Sequence, residues 1–261
     1  CLQGDTSSAN PCWYNSISLV RSTDGGHTFN DTASINDVIA FPKLQWDPNS
    51  SLPGSPRPYG YFTPSNILEV EGYYYMIIRA LSSPTGGSGN DGVCVIRTND
   101  LDIASSWRFW DGSGYNGNFE NPYDSTGGSW CSIISGNNIR NLRGSLTHNT
   151  YLNKFTLVGT GVHDNQGNQT CGFWISTSDN LINWEIPQLI KEVPINSNQC
   201  SASNLGGGYN YQQDNYPSII DHDDTTISFE KPGQTPHLYF VRRNQGMDRD
   251  LIRVPLTFTL T

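Results

Sequence analysis

Two acidic side chains carry the chemistry that this sequence suggests first. Glu120 lies in Asn118-Phe119-Glu120-Asn121-Pro122-Tyr123, an aromatic setting. Removal from water disfavours the charged carboxylate and raises its pKa, which suits a general acid. Asp214 lies in Gln213-Asp214-Asn215-Tyr216-Pro217 at the head of an apolar stretch and is the candidate partner carboxylate. Cleavage of a glycosidic bond uses two such groups about 5 to 9.5 Å apart, one as acid and one as base or nucleophile. His163 is a candidate proton shuttle. Arg79, Arg143 and Arg242 would suit an acidic sugar, because guanidinium binds carboxylate through two parallel hydrogen bonds. Tyr61, Trp130, Tyr216 and Asn66 supply rings that stack on sugars and an amide that pairs with hydroxyls. The plain alternative for each is a solvated loop charge, a strand-end charge or loop packing.

Short strands must hold these residues. Ser16–Arg21 reads as one hairpin strand. A second group runs through 66–70, 72–79, 93–97 and a strand containing Trp107. A third takes 145–147, 154–158, 172–176 and Trp184, and a fourth takes 218–220, 237–241 and 251–254. Four short strands within about 40 to 50 residues make one propeller blade. The composition agrees: 26 Gly, 15 Pro, 7 Trp and 13 Tyr, with only 15% charged residues, describe a turn-rich, aromatic-rich, all-β chain. Heptads and low-complexity runs are missing, which excludes coiled coils and disorder. Turns rich in Asp, Asn and Gly recur after blade strands, around Asp24, Asp100 and Asp179, and these aspartates read as turn formers. The long segments 38–63, 111–142 and 190–215 read as blade-to-blade loops, joined by shorter loops at 80–92, 160–171 and 243–249. Such loops on a rigid scaffold are the expected place for binding. Asp221 and Glu230 fall on the opposite face by the same topology.

Ser22-Thr23-Asp24-Gly25-Gly26-His27-Thr28-Phe29 resembles the Asp box of sialidases, and Ser178-Asp179-Asn180-Leu181-Ile182-Asn183-Trp184 resembles turns of five-bladed arabinanase and β-xylosidase-type glycoside hydrolases. The whole chain resembles secreted β-propellers related to those enzymes. The matching stretches are Cys12-Trp13-Tyr14-Asn15, Gly60-Tyr61-Phe62-Thr63-Pro64-Ser65-Asn66-Ile67, Asn141-Leu142-Arg143-Gly144-Ser145-Leu146, Tyr216-Pro217-Ser218-Ile219-Ile220-Asp221 and Asp248-Arg249-Asp250-Leu251-Ile252-Arg253-Val254-Pro255. The resemblance implies a five-bladed propeller with a carboxylate ahead of an axis-lining strand, where Asp214 stands. Residues 1–261 are expected to be one propeller domain. The recognisable strands amount to about 3.5 blades, so the chain is expected to be partial, with strands completed by a preceding segment or a second chain. A sialidase would also need a Tyr–Glu nucleophile pair, and none is legible.

The net charge of −9, with 4 Lys among 15 basic residues, argues against nucleic acid or anionic membrane as partner. The apolar runs fall short of the roughly 18 residues of a membrane span. The chain starts at Cys1 without Met, as in a processed or partial chain. Six cysteines without CxxC spacing point to disulfides rather than zinc. Cys1 with Cys12, and Cys131 with Cys200, are candidate pairs, with Cys171 as the alternative partner of either Cys131 or Cys200, and Cys94 in its apolar strand reads as a free buried thiol. Sequons at Asn30, Asn49 and Asn168 fit an extracellular glycoprotein. No cofactor is implied. A cation on a propeller axis is compatible with the fold, but no ligand set can be read. Three readings follow: a secreted glycoside hydrolase, a non-catalytic glycan-binding propeller, or a structural component that self-assembles.

Overall fold

The computed structural model describes residues 14–29, 34–46, 58–83, 91–124, 128–134, 136, 138–140, 142, 144–194, 213–226, 228–244 and 248–260. These residues form sixteen short strands and two 3-10 turns, so the protein is all-β. They fall into two compact units. The first takes Cys1–Pro64 and Glu69–Ile134, the second Ser65–Leu68 and Ser135–Thr261.

In the first unit, β1 (Tyr14–Asn15), β4 (Tyr59–Phe62), β6 (Tyr73–Leu81), β7 (Gly92–Thr98), β8 (Arg108–Phe109) and β9 (Gly117–Asn118) form one sheet in that order, with β5 (Leu68–Val70) off the path beside β6. A separate pair joins β2 (Ile17–Ser18) to β3 (Val38–Ala40). In β7, Gly-Val-Cys-Val-Ile-Arg-Thr is buried at every position but Arg97, as expected of a strand covered on both faces. The stretch Tyr59–Phe62, expected to be loop, is instead a strand with all four residues buried. Its Tyr and Gly content resembles a loop, but parallel pairing to β1 and antiparallel pairing to β6 satisfy its backbone.

In the second unit, β10 (Leu146–Asn149), β11 (Lys154–Asn165), β12 (Asn168–Ser178) and β13 (Gln188–Glu192) form a four-stranded antiparallel meander in chain order. A three-stranded meander follows: β14 (Gln213–Ile220), β15 (His237–Arg243) and β16 (Arg249–Pro255). Consecutive antiparallel strands of this length are blade-type sheets. Val158 and Phe173 of the first sheet pack against Ile219, Leu238 and Phe240 of the second in one buried cluster. Each such side chain contributes about 1.5–3 kcal/mol on leaving water.

Two expectations change here. Residues 160–171 were expected to be a loop, yet β11 and β12 pair continuously from Phe155↔Ser178 to Asn165↔Asn168. Gln166 and Gly167, with φ of 54° and 87°, close the hairpin as a two-residue turn. The fourth strand of this sheet is Gln188–Glu192, and Trp184 makes only an isolated bridge to Ser178. Trp184 is nonetheless buried, and its indole donates to the carbonyl of Leu181 at 3.0 Å.

The three aspartate turns differ in chemistry. Asp24 Oδ1 accepts from Thr28 N at 2.9 Å and from Ser22 Oγ at 2.7 Å, while Thr28 Oγ1 donates to Oδ2 at 2.6 Å. Asp100 Oδ1 accepts from Asp102 N at 2.9 Å. In the third turn Asn180, rather than Asp179, caps the chain: its Oδ1 accepts from Ile182 N at 3.0 Å and Asn183 N at 2.8 Å. Asp179 stays exposed, 3.8 Å from Lys154 Nζ. The hydrogen bonds from Thr28, then Ser22, stabilise the ionised Asp24 carboxyl and pull its pKa down to about 2. The sign follows from linkage. The folded value lies below the unfolded one, so the ionised turn's contribution is full above the ordinary carboxylate range and is lost as pH falls through about 2. An NMR titration of the Asp24 carboxyl carbon is expected to give a midpoint about 2. A midpoint at the ordinary value of about 4 would contradict these bonds.

Cys94 is not a free thiol. It is disulfide-bonded to Cys131 across a sequence separation of 37, which also removes Cys131 from any bridge to Cys171 or Cys200. The reason is local: Ile134 N donates to the Val93 carbonyl at 2.9 Å, laying the segment after Trp130 along β7. Cys171 is also disulfide-bonded. Cys1, Cys12 and Cys200 lie outside the described residues, as do Arg143, Asn30 and Asn49.

Candidate functional site

The first unit holds a cavity of about 410 Å³. Its chemistry begins with register. In the β8–β9 pair, Arg108 stands opposite Asn118 and Phe109 opposite Gly117. Directly opposed residues put their side chains on one face of a sheet, and Arg108 and Asn118 both line the cavity. Gly117 is required, because a Cβ there would collide with the Phe109 ring. Phe109 in turn packs edge-on against Phe119 with centroids 5.0 Å apart, and Tyr61 backs Phe119 at 5.1 Å. Phe119 thereby becomes a fixed cavity wall, with Trp107 and Phe41 as further apolar walls.

Local turns set the rest. The 3-10 turn Ala104–Ser106 carries cavity residues Ala104 and Ser105. It is anchored by Ser106 Oγ, which donates to the Asp100 carbonyl at 2.9 Å. The 3-10 turn Ile35–Asp37 is closed by a capping box between Ser34 and Asp37. Asn121 and Asp124 both line the cavity from one turn, in which Asn121 Nδ2 donates to Asp124 Oδ2 at 2.7 Å. Gln45 Nε2 donates to the Pro122 carbonyl at 2.7 Å, and Trp46 N donates to Tyr123 Oη at 3.2 Å. The backbone of Trp46 is thus tied to Tyr123 on the turn that supplies Asn121 and Asp124, and the two residues have 47% and 58% of their surface exposed. Glu120 is exposed between the lining residues Phe119 and Asn121.

The other expected site residues sit elsewhere. Tyr61 is buried, its hydroxyl oxygen accepts from the Cys131 backbone N–H, and its ring packs on Trp130 at 5.0 Å. Its ring is committed to the core behind the cavity, so it offers no face to a ligand. Trp130 is half-buried in the same cluster. Arg79 is half-buried on β6, opposite Phe62 and Val93.

In the second unit, Asp214 is buried at the start of β14, and both its oxygens accept from Arg242, from Nε and Nη2, each at 2.9 Å. That fork holds the Arg242 guanidinium firmly protonated. Asn66 is also spent on the backbone: its side chain exchanges hydrogen bonds with both the N–H and the carbonyl of Leu146, at 2.7 and 2.8 Å. His163 lies in β11, not in a loop, with its ring 5.1 Å from Trp174. Its Nε2 is buried without a partner, and burial lowers its pKa. Tyr216 projects at a bulge in β14 with φ of 57° and 76% of its surface exposed. Asn168 is exposed at the hairpin tip. Glu120 and Asp214 belong to different units.

Sequence reasoning missed Arg108, Asn118 and Asn121. The available signal was the density of Asn and aromatic residues between Trp107 and Asp124. No group of three or more His, Cys, Asp or Glu suited to a metal occurs among the described residues. No helix among them is long and apolar enough to cross a membrane.

No family model matches the chain, and no curated protein matches it. Among solved structures it is similar to an exo-inulinase from Aspergillus awamori, with 11% identity and a TM-score of 0.38 over 74% of this chain and 37% of that one. It is also similar to a GH32 β-fructofuranosidase from Bombyx mori, with 10% identity and a TM-score of 0.32 over 73% of this chain and 34% of that one. The chain thus spans little more than a third of the length of these enzymes.

Proposed function

We propose that the protein is a secreted, propeller-type carbohydrate-binding protein whose sugar site is the cavity of the first unit. One observation carries this reading: aromatic walls, the side-chain amides of Asn118 and Asn121 and a carboxylate line one small-ligand-sized space, with exposed Tyr123 on the adjoining turn and exposed Trp46 on the segment bonded to it. Rings cover the apolar faces of a sugar, and amides and carboxylates satisfy its hydroxyls. The Cys94–Cys131 bridge fits an oxidising compartment. Among the described residues, Asn168 is an exposed sequon that a secreted form would offer for glycosylation.

A hydrolase is the second reading. It is supported by Asp124, which lines the cavity, and Glu120, which is exposed on the same segment, since a glycosidase uses two carboxylates. In this reading Glu120 is the acid and Asp124 replaces Asp214, whose two oxygens are engaged by Arg242.

The test is a panel of plant and microbial glycans scored for retention and for product release together. Retention is expected, falling roughly 5- to 30-fold in Asn118→Ala and in Trp46→Ala, since loss of a stacking ring or a paired amide costs about 1–2 kcal/mol. Release abolished by Glu120→Gln or Asp124→Asn would establish the hydrolase. Neither retention nor release from folded protein would overturn the carbohydrate reading and favour a structural, self-assembling role.

A further inference from the structure

Resting on the carbohydrate reading, we infer that the first unit's cavity selects sugars that carry a carboxylate, with Arg108 as its anchor. Arg108 is half-buried and lines the cavity. Its Nη1 donates to the carbonyls of Ser105 at 2.7 Å and Trp107 at 2.9 Å. Those bonds tie one corner of the guanidinium to the backbone and reduce its freedom before any ligand arrives. Nε and Nη2 engage no described residue, so one edge of the fork keeps its donors for a ligand. A fixed guanidinium edge fits a carboxylate through two parallel hydrogen bonds, whereas a sugar hydroxyl uses one of them.

The opposite charge in the cavity does not cancel this one. Asp124 also lines it, yet no ion pair joins Asp124 to Arg108 among the described residues. Its Oδ2 accepts from Asn121 Nδ2, which holds the carboxylate in the turn. A ligand that satisfies both groups presents a carboxylate at one end and hydroxyl donors at the other. A hexuronic acid residue has that form, and the walls of Phe119 and Phe41 suit its ring. The chain's net charge of −9 opposes long polyanions at low salt, but screening over about 8 Å at physiological salt leaves the local guanidinium dominant.

The experiment compares sugars that differ only at C6. Methyl β-D-glucuronoside and methyl β-D-galacturonoside are titrated against their neutral glucoside and galactoside counterparts by saturation-transfer NMR. The uronosides are expected to bind roughly 10- to 100-fold tighter, the range for a charge-assisted pair. Arg108→Gln, checked for folding by circular dichroism, should erase the difference, because uronosides lose the charge-assisted pair while neutral sugars lose at most one ordinary hydrogen bond. Asp124→Asn should tighten uronoside binding by removing a like charge, which gives an independent readout if the arginine variant fails to fold. Equal binding of both classes, or an intact preference in Arg108→Gln, overturns this inference and leaves the carbohydrate reading standing. Binding of neither class, nor of any glycan on the panel, overturns both.

Discussion

Replacing Arg242 with methionine should destabilise the protein by roughly 3 kcal/mol, about what an uncompensated buried charge costs. Only 2% of the Asp214 side chain is exposed, and both its oxygens depend on Arg242. Methionine keeps much of the apolar stem but supplies no donor, and it lacks the guanidinium that stands 5.8 Å from the Phe240 ring centre. The stranded carboxylate must then sit uncompensated or take up a proton. Asp214→Leu in the same chain should recover much of the loss, since replacing both members of a buried pair is far milder than removing one. Urea unfolding followed by tryptophan fluorescence measures this. A single variant within about 0.5 kcal/mol of wild type would show that the fork is not holding the end of β14 and β15.

The second large effect lies in the first unit. Removing the Cys94–Cys131 bridge as a double serine variant should cost about 4 kcal/mol in the chain-entropy account of a loop this long. Both half-cystines are essentially inaccessible, at 0% and 1% exposure, so mild reductant should leave the native bridge intact until the unit opens. The variant's unfolding midpoint should fall, and hydrogen exchange should rise along β7 and in 131–134, where Ile134 bonds to Val93. An unchanged midpoint would mean that the aromatic cluster around Trp130 and Tyr59 fixes this segment without the bridge.

Local pattern explains which parts of this architecture could be read from the sequence. Strands β6, β7, β11, β12 and β15 are dense in β-branched and aromatic residues, and sequence and structure agree on where they lie, although not on their full length. The hairpin β11–β12 runs longer than expected because the tip residues are polar and resemble loop, while their backbone keeps pairing to Asn165↔Asn168. Strand β4 escaped because Tyr-Gly-Tyr-Phe has no alternation: it is buried at all four positions. Cys94 was misread because a buried apolar strand suits a free thiol equally well, and only the path of residues 131–134 along β7 reveals its partner. In the turn after β12, Asp179 and Asn180 offer nearly the same side chain one residue apart, and backbone geometry chooses Asn180.

The candidate site was less legible than the fold. Its walls come from strands two residues long, two 3-10 turns and the Asn121–Asp124 turn, none of which has enough length for a periodic signal. The Arg108↔Asn118 register that puts a cation beside an amide is a pairing across a ten-residue gap. Glu120 stood out because its aromatic neighbours are adjacent in sequence. Asp214 stood out for its place ahead of a strand, but its bond to Arg242 reaches across 28 residues. Residue type suggested carbohydrate chemistry, and tertiary pairing decided that Asp214 is engaged by Arg242.

The central claim is that the cavity of the first unit is where a glycan binds. Hydrogen–deuterium exchange of the protein with and without a retained glycan tests it most directly. Slowed exchange in 104–108 and 117–124, with β14 and β15 unchanged, is the predicted result. Protection confined to the Asp214–Arg242 end of the second unit would contradict it.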